Sequence, residues 1–139
     1  MSTESTDVVI RALERARAAG AEAVDAVLVE DNSLQARVRG SEIDFVSQAR
    51  ERCLGIRALV GGSDGLSSAV SSTSDLSMET VDQLAQQTVA LARETRPDPT
   101  AGLPAEAFAD DTPDLGLIDA ADRNVSVEAR IEDARRAEE

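Results

Sequence analysis

Leu34-Gln35-Ala36-Arg37-Val38-Arg39, Gly40-Ser41, Glu42-Ile43-Asp44-Phe45: across these twelve residues apolar and polar side chains alternate on both sides of a turn signal. Leu34, Ala36 and Val38 share one face and Gln35, Arg37 and Arg39 the other, which is the period of a strand with one dry side and one wet side. Gly40-Ser41 suits a type II′ hairpin turn, after which Ile43 and Phe45 alternate with Glu42 and Asp44. Antiparallel pairing would set Arg37 or Arg39 opposite Glu42 or Asp44, a favourable cross-strand match. The stretch therefore predicts a hairpin, and with it an antiparallel sheet.

Upstream, Ala26-Val27-Leu28-Val29 has the length and β-branched character of a well-buried strand, ended by Asp31-Asn32-Ser33. Downstream, Leu54, Ile56, Ala58 and Val60 alternate in a strand from Arg52 to Val60. The turn Gly61-Gly62-Ser63-Asp64-Gly65 follows, then a strand from Leu66 to Ser72 with smaller side chains. Gly55, inside its strand, predicts a bulge, a close backbone approach or crowding by a packed helix.

Helical spacing brackets these strands. Val9, Leu13, Ala16 and Ala19 recur on one face from Asp7 onward, with Ser5 or Thr6 as the expected cap and Gly20 as the stop. Val81, Leu84, Ala85, Thr88, Leu91 and Ala92 form a longer stripe after Ser74 to Ser77, with Glu79 and Asp82 near the positive helix end. Pro97-Asp98-Pro99 must end that helix near Arg96, because proline removes donors and forces extended backbone. From Pro97 to Asn124 prolines, glycines and acids surround isolated Leu103, Phe108, Leu115, Leu117 and Ile118, as in a connector laid on a surface. Ser126 caps a last helix, whose face of Val127, Ile131 and Ala134 is expected to find no cover within the chain. That open face suggests a shortened chain, a fragmentary gene product or a piece cut from a longer parent.

The expected fold is α+β: an antiparallel meander of about five strands packed against two helices, with an extended connector and a short C-terminal helix. The expected divisions are an α+β domain over 1–96, a Pro/Asp-rich connector over 97–124, and a further, truncated helical segment over 125–139.

Composition narrows what such a fold can do. The 139 residues are 42% hydrophobic, enough for one core, but Phe45 and Phe108 are the only aromatics, leaving no stacking platform for bases or sugars. Asp and Glu number 27 against 14 basic residues, all arginine, for a net charge of -13 that repels phosphate backbones and anionic membranes. Neither a nucleic-acid nor a membrane partner is expected. No apolar run is long enough to span a bilayer and the first residues lack a signal-peptide pattern, so a cytoplasmic location is expected.

The absence of histidine removes the Ser-His-Asp and Cys-His arrangements and the His-x-x-x-His zinc site. The absence of lysine removes the Schiff-base nucleophile and the P-loop lysine. Cys53 can form no internal disulfide, and as a lone strand cysteine it is expected to be a small packing residue. Carboxylate chemistry remains, but Asp110 with Asp111, and Glu30 with Asp31, are sequence neighbours that point apart in extended backbone, and in so acidic a chain they are expected to be solvated surface. No catalytic, cofactor-binding or metal-ligating residue is expected.

Leu54-Gly55-Ile56-Arg57, Ser71-Ser72-Thr73-Ser74-Asp75-Leu76-Ser77 and Arg96-Pro97-Asp98-Pro99-Thr100-Ala101-Gly102-Leu103-Pro104 together resemble the amino-terminal domain of the TldD/PmbA family. Thr112-Pro113-Asp114-Leu115-Gly116-Leu117-Ile118-Asp119 and Ser126-Val127-Glu128-Ala129-Arg130-Ile131 continue the likeness in order over essentially the whole chain. The stretches at Pro97 and Pro113 are more similar to PmbA (TldE) than to TldD. The resemblance implies a subunit of a metalloprotease acting on unfolded or leader peptides, with a TldD-like partner in a heterodimer, or a homo-oligomer. It implies zinc only in that partner subunit, and for this domain a noncatalytic place in the chamber wall and subunit contact. The family's label as a modulator of DNA gyrase would then reflect an indirect effect. A reading from another class is a free-standing adaptor that binds peptides at an exposed sheet edge; a third, a carboxylate enzyme, needs two acids converging in a pocket.

Overall fold

A computed structural model of the chain describes residues 3–40, 42–104, 114–117 and 125–138. In chain order the elements are helix α1 (Thr3–Ala18), strands β1 (Ala23–Arg39), β2 (Glu42–Gly62) and β3 (Gly65–Thr73), and helices α2 (Met78–Glu94) and α3 (Val127–Glu138). The strands form one sheet in the order β1-β2-β3. The described residues of Met1–Glu30 and Glu51–Ala105 make one compact unit, and those of Asp31–Arg50 and Glu106–Glu139 a second.

The fold is α+β, as expected, but the described residues hold three strands, not about five. The first two expected strands fuse into β1 and the next two into β2. Asp31-Asn32-Ser33 has low strand propensity but stays extended, because pairing along a neighbouring strand overrides a local preference worth tenths of a kcal/mol, of order ~1 at most.

In the first unit, Val8, Ala12 and Ala16 of α1 and Val81, Ala85 and Val89 of α2 meet Val24 of β1 and Leu54, Ile56 and Ala58 of β2 in the core. Alanine on both helices keeps them thin enough to lie close, while Leu54 and Ile56 supply bulk, each side chain contributing about 1.5–3 kcal/mol when fully buried. The α1 stripe is centred one residue earlier than expected, with Val9 and Leu13 on its flank. Ser5 lies inside α1 and is buried, its Oγ donating to Glu30 Oε2 at 2.9 Å, so it is not the cap. In α2 Val89 is buried and Leu91 is half exposed, reversing part of the expected stripe. Thr88, also buried, satisfies its hydroxyl by donating to Leu84 O at 2.7 Å.

Both helices stop for visible reasons. At the end of α1, Ala21 N donates to Ala16 O at 3.0 Å and Gly20 N to Arg17 O at 2.9 Å, with Gly20 at φ +101°. This is the left-handed glycine cap that satisfies the last carbonyls. For α2, Ser77 is the N-cap and accepts from Thr80 N. Thr95 closes the far end, its N donating to Ala92 O at 3.2 Å before the prolines begin.

β2 and β3 pair antiparallel from Leu54↔Thr73 to Gly62↔Gly65, so the glycine-rich segment is a tight turn, as expected. β1 is not buried on both sides: Val27 and Val29 are exposed, while Ala26 and Leu28 pack against the core. A Cβ built on Gly55 would lie 3.9 Å from Val27 O, an ordinary contact, so crowding does not explain that glycine.

In the second unit Leu34, Ala36 and Val38 are half buried while Gln35, Arg37 and Arg39 are exposed, the alternation that the sequence predicts. Arg37 Nη1 lies 3.9 Å from Asp44 Oδ2, and its guanidinium sits 5.1 Å from the Phe45 ring centroid. Gly40 has φ +59°, consistent with a primed turn, and Ser41 lies outside the described residues. Ser126 caps α3 by accepting from Ala129 N at 3.2 Å, and Gly40 N donates to Glu138 Oε1 at 2.6 Å. Val127, Ile131 and Ala134 are half buried within this unit, so the α3 face expected to be bare is partly covered. Of the expected connector residues, Phe108 and Ile118 lie outside the described set; Leu115 and Leu117 are exposed.

Candidate functional site

Among the described residues, those that chemistry would need do not converge. Cys53 is exposed on β2, which overturns its reading as a packing residue. Glu30 accepts from Ser5 in the first unit, and Asp31 belongs to the second. Asp110 and Asp111 lie outside the described residues. Among the described residues no three of His, Cys, Asp and Glu are grouped so as to hold a metal.

What the first unit does build is a set of polar joints. Asp82 on α2 accepts from Arg11 Nε and Nη2 of α1, each at 2.7 Å, and lies 2.7 Å from Arg15 Nη2. The paired guanidinium of Arg11 first, then Arg15, holds the Asp82 carboxyl well below the usual carboxylate range. On the sheet, Arg57 binds Asp25 in a bidentate pair at 3.0 and 2.6 Å. Sequence reasoning missed both joints. The signal for the first was Arg11 and Arg15 spaced i, i+4 on α1; nothing local announces the second.

A cleft of about 310 Å³ opens between Glu4, Ser5, Arg52, Ser74, Asp75 and Ser77. Asp75 is already engaged there, accepting from Ser77 N at 2.9 Å and Thr80 Oγ1 at 2.8 Å, and the Ser77 backbone bond foremost lowers its pKa. Asp98 and Glu128 are likewise lowered, the first chiefly by the Thr100 hydroxyl and the second by a backbone N–H. A general acid at neutral pH requires the opposite shift, so these four carboxylates serve as ionised caps and clasps.

The two edges of the sheet differ. Along β3, Leu66 N donates to Asp98 O at 3.2 Å and Asp98 N to Leu66 O at 2.9 Å, while Ser67 Oγ donates to Thr95 O at 2.9 Å. Asp98 Oδ1 accepts from Thr100 N at 2.8 Å, fixing the Pro97-Asp98-Pro99 bend. The approach is so close that a Cβ on Gly65 would lie 2.5 Å from Asp98 O. Along β1, no further strand pairs among the described residues, and Val27 and Val29 are 63% and 56% exposed.

Residues 24–92 match the family model described as PmbA/TldA metallopeptidase domain 1. The metalloprotease PmbA homolog of Haemophilus influenzae is 36% identical over 129 residues, 92% of this chain and 27% of that protein. The chain thus spans about a quarter of that relative's length. Among solved structures, a Bacteroides thetaiotaomicron protein described as a modulator of DNA gyrase superposes with a TM-score of 0.79 at 20% identity, over 97% of this chain and 30% of its own. TldE from Thermococcus kodakarensis does so with a TM-score of 0.61 at 16% identity, over 76% of this chain and 23% of its own. These two likenesses concern the fold alone, and they agree with the sequence matches: the chain belongs to the PmbA/TldD metallopeptidase family, of which it carries the amino-terminal domain.

Proposed function

We propose that this chain is a noncatalytic domain of a PmbA (TldE)-like subunit that works beside a TldD-like subunit in a cytoplasmic metallopeptidase complex acting on unfolded or leader peptides. Its part is to wall the chamber and to contribute to the subunit contact. The observation that carries this reading is the 36% identity to a PmbA homolog over 92% of the chain, joined to a sequence without histidine. The residues present do not fit a zinc ion of the kind a metallopeptidase uses: Cys53 is the only thiol and the carboxylates with lowered pKa are engaged in caps and ion pairs. No step is therefore routed through a metal here, and the zinc is assigned to the TldD-like partner. An effect on gyrase, if this chain has one, would run through proteins, since the net charge of -13 disfavours duplex DNA.

The test mixes the purified chain with a TldD-like subunit and measures sedimentation and hydrolysis of an unfolded peptide. A one-to-one complex, with no hydrolysis by the chain alone in added zinc, is expected. Hydrolysis by the chain alone that a chelator abolishes would overturn the noncatalytic reading, and absence of any complex would overturn the assembly.

A further inference from the structure

We infer that the outer edge of β1 between Ala23 and Glu30 is a docking site for an extended, basic peptide, which adds to the sheet as a further strand. The inference goes beyond the assembly reading, which needs no peptide on this edge. Three observations carry it. First, among the described residues the two edges differ: the start of β3 is met by the paired backbone of Leu66 and Asp98 and by the Ser67 bond to Thr95 O, whereas no described strand pairs with the far side of β1. Second, the open edge lacks two of the usual protections. Natural edges carry lysine, proline or a bulge to deter pairing, but Ala23 to Glu30 contains neither residue and presents Val27 and Val29 at 63% and 56% exposure.

The third observation is charge. Between Arg17 and Arg37 the chain has no basic residue, while Glu22, Asp25 and Glu30 lie along or beside this stretch of β1. Asp25 is matched by Arg57 on β2, and among the described residues Glu30 accepts from a neutral donor, Ser5. Backbone hydrogen bonds to the edge give a strand-adding ligand its affinity, and side chains at alternate positions give it selectivity. β-branched residues of the ligand would flank Val27 and Val29, and an arginine or lysine would answer Glu30. A second copy of this chain fits less well, since two molecules of charge -13 repel.

The test titrates the 139-residue chain with an octapeptide of alternating arginine and valine. Its controls are the same peptide with alternate backbone nitrogens methylated and a version with glutamate for arginine. Binding of the first peptide is expected, with slowed amide exchange confined to Ala23–Glu30. Val27→Lys with Val29→Lys, both at exposed positions that leave the core intact, is expected to weaken it by about tenfold or more. Val70→Lys, exposed on β3, leaves it unchanged. The inference is overturned by no binding of the basic peptide, by equal binding of the methylated or acidic peptide, or by equal loss in the Val70 variant. It is also overturned by a dimer in sedimentation that the paired lysine substitutions dissolve, since the occupant would then be a second copy.

Discussion

Three glycines separate causes that sequence alone confounds. Gly65 has φ +123° and would place a Cβ against the backbone of Asp98 and Pro99; Gly20 has φ +101° but would meet only the tip of Arg93; Gly55 has room for a methyl group. Backbone cannot swing aside and an arginine tip can. Gly65→Ala should therefore cost about 2–3 kcal/mol, Gly20→Ala about 1 kcal/mol, and Gly55→Ala close to nothing, read as urea midpoints at constant slope. Asp82 sets a second prediction at this scale. Its folded pKa lies below its unfolded one, so its stabilising effect is present above the unfolded pKa and is lost as pH falls through the folded value. Asp82→Asn should be less stable than the native chain at pH 7, and the gap should narrow only below about pH 4; a gap already closed at pH 6 would contradict the pairing with Arg11 and Arg15.

At the scale of the element, Val89→Ala should cost about 2 kcal/mol and Leu91→Ala less than about 0.5 kcal/mol, measured by chemical denaturation. The two residues also show what was legible in the sequence. The existence of α2, its cap at Ser77 and its end before Pro97 follow from chemistry within a few residues. The choice between Val89 and Leu91 does not, because both lie at the margin of a helical stripe and the packing of α1 decides between them. The strand count fails for the same kind of reason. The more covered positions of β1 are even-numbered both in Ala26 and Leu28 and in Leu34, Ala36 and Val38, but in β2 half-buried Phe45 and Ala49 are odd-numbered and fully buried Leu54, Ile56 and Ala58 are even-numbered. A change of phase in one strand alone is what a β-bulge produces, and a reader of sequence meets it as a break between strands. The candidate site was legible mostly as exclusion: a chain without histidine limits chemistry at once, whereas the Arg57 pair with Asp25 and the Leu66 pairing with Asp98 join residues about thirty apart and leave no local trace.

For the whole molecule the two units differ in how much they bury. The first has a core of fully buried side chains from both helices and the sheet, and in the second α3 has no fully buried residue. Local stability follows buried apolar contact, so amide hydrogens of Val127–Glu138 should exchange faster than those of Val81–Ala92 in the same sample. Equal protection in a proven monomer would mean that α3 is held by more than its half-buried Val127, Ile131 and Ala134.

The closure of β3 by Asp98 also bears on timing. A hairpin strand whose buried side chains are as small as Ser67 and Ala69 loses little apolar burial on slipping by one residue. After a slip, Asp64 or Leu66, each with a Cβ, would stand where Gly65 now stands, 2.5 Å from Asp98 O. The segment after α2 can therefore seat only on the correctly aligned hairpin, and chain made later acts as a proofreader of chain made earlier.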